Sequence, residues 1–386
     1  MRNLAVSIRF RVMACVVLVL ANCESHHAMM SDYDTAADTS AGAVTARSPT
    51  PAHPKLVPAA AGGARQGTTV SLEYPEPNLL IAFLGDQGDT SNSDQVLELI
   101  KSEGAAAIVH GGDFDYMDSP PIWNGRIDRI LGPSFPYFAV VGNHDVAAWD
   151  GVKGYAEFIA ARQARVAEMQ CTGDPGVKAT CRFHGLLLVE SCIGTSELEN
   201  HGDCGLDSVE QTNFIRGALA SSAHAWKICS WHKNQHDLQV GTKTDEVGWE
   251  AYRACQASGA IIHTAHEHSY ARTYALSDLG DPATGFGKVG LPDWLALRPG
   301  QSFVFVSGLG GRSIREYDPS HDSDSWWASY YTANQWLKNG TLQSGTATFG
   351  ATFIRFNVMG NRRRAWGYFK DVTGKVADEF TLDLSE

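Results

Sequence analysis

Three apolar runs in this chain each stop at a glycine followed by a side chain able to bind a cation. Leu79-Leu80-Ile81-Ala82-Phe83-Leu84 ends at Gly85-Asp86, Ala105 to His110 ends at Gly111-Gly112-Asp113, and Tyr137 to Val141 ends at Gly142-Asn143. Short, wholly apolar runs of this kind read as strands buried on both faces. Helical stretches between them, such as Asp94 to Ser102, predict parallel βαβ units. Ligand sites in such sheets form beyond the carboxyl ends of the strands, so the three side chains are expected to converge. The preceding glycines are expected to let the backbone turn sharply there.

Two further apolar runs end at histidines. Ile228-Cys229-Ser230-Trp231 leads into His232, and Ile261-Ile262-His263-Thr264-Ala265 leads into His266-Glu267-His268. A mixed oxygen and imidazole donor set suits Zn, Fe or Mn better than Ca, which prefers an all-oxygen shell. One Gly-Asp after a strand is ordinarily a turn or a cap. Five such ends in order are not ordinary.

These five blocks resemble the signature of the calcineurin-like metallophosphoesterases, and within them the purple acid phosphatases. Here the blocks read Gly85-Asp86-Gln87-Gly88, Gly112-Asp113-Phe114-Asp115-Tyr116, Gly142-Asn143-His144-Asp145, Ser230-Trp231-His232 and Ala265-His266-Glu267-His268. The resemblance implies that Asp113 bridges two metals. Asp86, Tyr116 and His268 would complete one site; Asn143, His232 and His266 would complete the other. Many members carry Asp-x-His in the first block, whereas here Gly88 stands in the histidine's place. Tyr116, three residues after Asp113, supplies a replacement oxygen, and a phenolate there favours Fe(III), with Fe(II), Zn or Mn beside it. Ala265 departs from the usual glycine of the last block.

The fold implied is a four-layer α/β/β/α sandwich of two mixed sheets flanked by helices. The strand-like runs at Phe303–Val306, Ala351–Val358, Arg364–Phe369 and Glu379–Leu384 are expected to form a second, mostly antiparallel sheet. The implied activity is metal-dependent hydrolysis of a small phosphate monoester by an acid phosphatase, through hydroxide held between two metals. A phosphodiesterase or nucleotidase on the same metal core is the rival enzyme, and a non-catalytic surface binding protein the rival of another class. His144, next to the ligand Asn143, is the candidate general acid, with Asp145 expected to orient it. Asp89 and Asp115 are expected as loop carboxylates, and His263, Tyr270 and Arg272 as core residues. His236 is a weaker substrate contact. The aromatic cluster in Ser323 to Tyr331 is expected to cover the edge of the second sheet, the alternative being a pocket rim.

The residues that bear on cell location lie outside the blocks. Arg2, Arg9 and Arg11 precede an apolar run from Val12 to Ala21, too short to span a bilayer and suited to an export signal in residues 1–23. Leu20-Ala21-Asn22-Cys23 resembles a lipobox, which would put a lipid on Cys23 as the chain's only membrane contact; simple cleavage is the alternative. Residues 24–77, rich in Ala, Ser, Thr, Pro and Gly, read as a linker carrying His26, His27 and His53, and the catalytic domain spans 78–386. Six cysteines remain in that body, an even set fitting three disulfides in an oxidising compartment. Sequence does not fix their connectivity; the nearest neighbours, Cys171 with Cys181, Cys192 with Cys204 and Cys229 with Cys255, are the first choice. A net charge of -12 argues against a general nucleic-acid binder, which needs clustered Lys and Arg.

Overall fold

The computed structural model describes residues 71–385. The expected signal, Cys23 and the histidines of the linker lie outside the described residues. Residues 71–77, placed at the end of that linker by composition, lie along the body. Glu73 bridges to His224, and the Pro75 carbonyl accepts from Asn357.

Two sheets carry the fold. The first has seven strands in the order Trp294–Leu297, Val376–Leu384, Asn361–Asp371, Gly350–Val358, Leu79–Leu84, Ala107–His110 and Tyr137–Ala139. The second has ten, running Thr341–Leu342, Trp336–Lys338, Trp327–Tyr331, Tyr270–Thr273, Phe303–Ser307, Ile261–Thr264, Trp226–Ser230, Leu186–Ser191, Lys178–Phe183 and Gln170–Asp174.

The strand Leu79–Leu84 explains the layering. Its alternate side chains Leu79, Ile81 and Phe83 enter a core shared with Phe305, Ile261 and Ile228 of the other sheet. Leu80, Ala82 and Leu84 face the opposite way, onto Val96, Leu97 and Ile100 of the helix Ser91–Glu103 and Trp123 and Ile127 of the helix Pro120–Ile130. Period-two alternation with both faces apolar is what a strand between two layers requires. On the far side, the helices Val209–Ala220 and Glu250–Gln256 cover the second sheet through Ile215, Leu219, Tyr252 and Cys255. The expected four-layer α/β/β/α sandwich is therefore present.

The assignment of strands to sheets differs from the expectation. The three C-terminal strands do not build a second sheet; they extend the first. Gly350–Val358 pairs antiparallel with Leu79–Leu84, with Ile81 opposite Ile354. Only Phe303–Ser307 joins the second sheet, parallel to Ile261–Thr264. Alternating apolar residues identify a strand but say nothing of its partner.

The three nearest-neighbour disulfides are present: Cys171–Cys181, Cys192–Cys204 and Cys229–Cys255. The first ties the hairpin Gln170–Asp174 and Lys178–Phe183, and the third fastens the strand leading to His232 onto the helix Glu250–Gln256. Among the described residues, no helix is long and apolar enough to cross a membrane.

Candidate metal centre

All seven side chains singled out by the sequence meet at the carboxyl ends of the central strands, where loops from both sheets converge. They fall into two groups about Asp113. In one, the Tyr116 hydroxyl donates to Asp86 Oδ1 at 3.1 Å and lies 3.0 Å from His268 Nε2. In the other, His232 Nε2 lies 3.1 Å from Asn143 Oδ1 and 3.1 Å from His266 Nδ1. Asp113 Oδ1 sits 3.3 Å from His232 Nε2, and donor atoms of Asp113, His232 and His266 fall within 4.8 Å of one another. Asp86, Asp113 and the three histidines are buried.

The expected glycine turn is present at Gly112 alone, whose φ is 94°. Gly85 and Gly142 do not take left-handed φ; the ligand candidates themselves do, with φ of 54° at Asp86, 60° at Asp113, 59° at Tyr116 and 65° at His266. Such conformations cost about 1–3 kcal/mol each and persist only where the surroundings impose them. The glycines serve close approach instead. A Cβ at Gly85 would overlap the Ala265 methyl, and one at Gly111 would lie 2.8 Å from it. The departure at Ala265 is thus accommodated by glycines on two facing loops.

Hydrogen bonds hold these turns. The buried Asp145 carboxylate accepts from the backbone N–H of Asp113, Phe114 and Gly142, each at 2.8 Å. It clamps the second block to the third and does not orient the His144 ring, contrary to the expectation. Asp115 accepts from Tyr155 Oη at 2.5 Å and from the N–H of Met117 and Ser119, shaping the turn that presents Tyr116. Asp86 Oδ2 accepts from His266 N at 2.8 Å.

Electrostatics follow from this crowding. Burial works to raise the Asp113 pKa, but His232 beside it prevails and holds the carboxyl well below its usual range. Burial works to lower the His232 pKa, and Asp113 with Asp86 reverses this, raising it to about 9. Tyr116 is pushed up by desolvation and by the carboxylates of Asp113 and Asp86. The phenol therefore stays protonated unless a cation stands beside it. A proton on His232 fills the role that a bound cation would take, so the donor set fits metal ions.

Several residues around the site carry no sequence signal. Glu246 places Oε2 2.9 Å from His266 Nε2 and is itself paired with Lys233 at 2.8 Å. Ser313 Oγ lies 2.5 Å from His268 Nδ1. Second-layer partners like these fix ring orientation and tautomer. They sit on loops of no regular pattern, so only their spatial position gives them away.

His144 is exposed, its ring 4.5 Å from that of Tyr116, and its backbone N–H donates to Asp113 Oδ1 at 3.0 Å. His263 is a core residue, bonded to Ser230 and stacked on Phe305. Burial pushes its pKa down to about 3. Tyr270 and Arg272 both bond to the buried Asp378. Asp89 pairs with Arg126. His236 bonds to the Lys243 carbonyl and packs beside His321, with no contact to the seven. Trp327–Tyr331 does not cover the edge of the second sheet; it is itself a strand within that sheet, between Tyr270–Thr273 and Trp336–Lys338. A cavity of about 650 Å³ beside it is lined by Tyr317, Trp327 and Tyr330 and by none of the seven.

Residues 79–270 match the calcineurin-like phosphoesterase family, a span that contains all five blocks. These residues form a calcineurin-like metallophosphoesterase domain. Its fold resembles that of a purple acid phosphatase from seeds of yellow lupin (Lupinus luteus), with a TM-score of 0.57 at 17% identity over 81% of this chain. The metallophosphoesterase spans 55% of that protein's length. Weaker likenesses are to PhoD, at 12% identity and a TM-score of 0.46 over 80% of this chain and 69% of the other, and to GAP50, the anchor in the inner membrane complex of Plasmodium. The latter is 13% identical with a TM-score of 0.45, over 81% of this chain and 90% of the other. No curated protein matches this metallophosphoesterase in sequence.

Proposed function

We propose that this protein hydrolyses small phosphate monoesters as an exported, metal-dependent acid phosphatase. The observation that carries the reading is the place of Asp113 between two donor groups, one of Asp86, Tyr116 and His268, the other of Asn143, His232 and His266. One carboxylate so placed offers an oxygen to each of two cations. Two such cations, when bound, would lower the pKa of water and screen the charge on phosphate.

The chain's own side chains do the rest. Tyr116 would lose its proton on loading, and its phenolate suits Fe(III), with Fe(II), Zn or Mn in the other position. Glu246 and Ser313 hold His266 and His268 from behind, so their rings need not reorganise. His144, exposed at the rim, is placed to give a proton to the leaving oxygen. Three disulfides support an oxidising compartment.

Purified protein incubated with nitrophenyl phosphate should release nitrophenol, and chelation should abolish the release. Absence of turnover on any phosphate ester after loading with Fe, Zn or Mn would instead favour the binding-scaffold reading.

A further inference from the structure

Arg312 lies on the loop Gly308 to Ser313, which follows the strand Phe303–Ser307 and is stitched to the first block. Its backbone N–H donates to the Asp86 carbonyl at 3.0 Å, and the N–H of Gly310 donates to the Gly85 carbonyl at 3.0 Å. The guanidinium carbon sits 4.7 Å from the centroid of the Tyr116 ring. That ring also contacts His144.

Two features make this arginine unusual. First, a Cβ at Gly88 would lie 3.2 Å from Arg312 Cα and 3.5 Å from its Cδ, and Gly88 has φ of 73°. The loop carrying Arg312 thus fills the space beside Gly88, the position where many relatives are expected to carry a histidine. Second, neighbouring cations are committed: Arg315 to Glu267, Arg126 to Asp89 and Asp94, Lys233 to Glu197 and Glu246. Among the described residues, Arg312 has no ion pair. Its stacking on Tyr116 contributes only about 0.5–1 kcal/mol at a half-exposed site. A guanidinium fixed beside a phosphate site, with its N–H donors uncommitted, matches phosphoryl oxygens in charge and geometry.

We propose that Arg312 binds the non-bridging oxygens of the substrate phosphate and, by answering its second negative charge, favours monoesters over diesters. This rests on the hydrolase reading above. A monoester dianion presents one more charged oxygen than a diester monoanion, so an added cation at the rim stabilises the former more.

The test compares the metal-loaded full chain with Arg312→Ala, Arg312→Gln and Arg312→Lys. Calorimetry with inorganic phosphate and kcat/KM on nitrophenyl phosphate and methyl nitrophenyl phosphate are the readouts, with metal content measured alongside. Loss of one charged hydrogen-bonding partner should weaken phosphate binding and monoester kcat/KM by about 10–100-fold in the Ala and Gln variants. The diester should lose less, Lys should recover part, and metal content should not change. Unchanged phosphate affinity, equal loss on both esters, or loss of metal would overturn the assignment. If the wild type cleaves neither ester, the hydrolase reading fails, and the phosphate titration alone still decides whether Arg312 binds phosphate.

Discussion

Asp113 occupies space that Gly142 leaves open: a Cβ at position 142 would overlap both the Asp113 backbone nitrogen and its Oδ1. The central carboxylate of the site is therefore placed by a residue on a different strand end. Gly142→Ala should displace Asp113 and weaken metal binding by about 10–100-fold, as loss of a supporting partner does. Gly125→Ala, in a helix with open space around it, should leave loading unchanged. Metal titration of the two variants checks this.

Tyr116 is the residue on which the iron assignment turns. The oxidised, loaded protein should show a visible tyrosinate-to-iron band, and Tyr116→Phe should abolish it. A colourless, iron-free and fully active protein would remove iron while leaving two metals in place.

His144 should matter in proportion to the leaving group's need for a proton. His144→Ala should keep both metals and lose about 10²–10⁴-fold on alkyl phosphates. The loss on nitrophenyl phosphate should be smaller, since nitrophenolate departs nearly unaided. Equal losses on both would give His144 a binding role.

Arg272 and Asp378 form a fully buried ion pair, joined by the hydroxyls of Tyr270 and Ser329. Burial works to raise the Asp378 pKa, and Arg272 with these hydroxyls holds it below its ordinary value. A depressed carboxyl adds stability above its unfolded pKa of about 3.9, and that stability is lost as pH falls through the folded value. Asp378→Ala strands the arginine and should cost about 3–5 kcal/mol near neutral pH. The gap from wild type should narrow only below about pH 4, as denaturant titrations across pH will reveal.

The convergence of the strand-end side chains was legible because each follows a strong local signal, whereas Tyr116 was legible only through the family resemblance and the disulfides only as a nearest-neighbour choice. Asp86, Asp113, Asn143, His232 and the His266–His268 pair all come just after apolar strands. The sheet to which residues 350–384 belong was not legible. Pairing Ile354 with Ile81 is a contact across 273 positions, and no local pattern records it. The left-handed turn at Tyr116 was hidden too, because a bulky aromatic residue rarely takes that conformation. Asp145 was misread for a related reason: its neighbour in sequence is His144, but its partners in space are backbone N–H groups of two other loops. Arg312 gave no signal at all, since its meaning lies in Gly88 and Tyr116.

Anomalous diffraction from crystals of the loaded protein tests the two-metal account most directly. It should locate two metal ions per chain, one among Asp86, Tyr116 and His268, the other among Asn143, His232 and His266, with a separate Asp113 contact to each. A single ion, or two ions that Asp113 does not join, would contradict it.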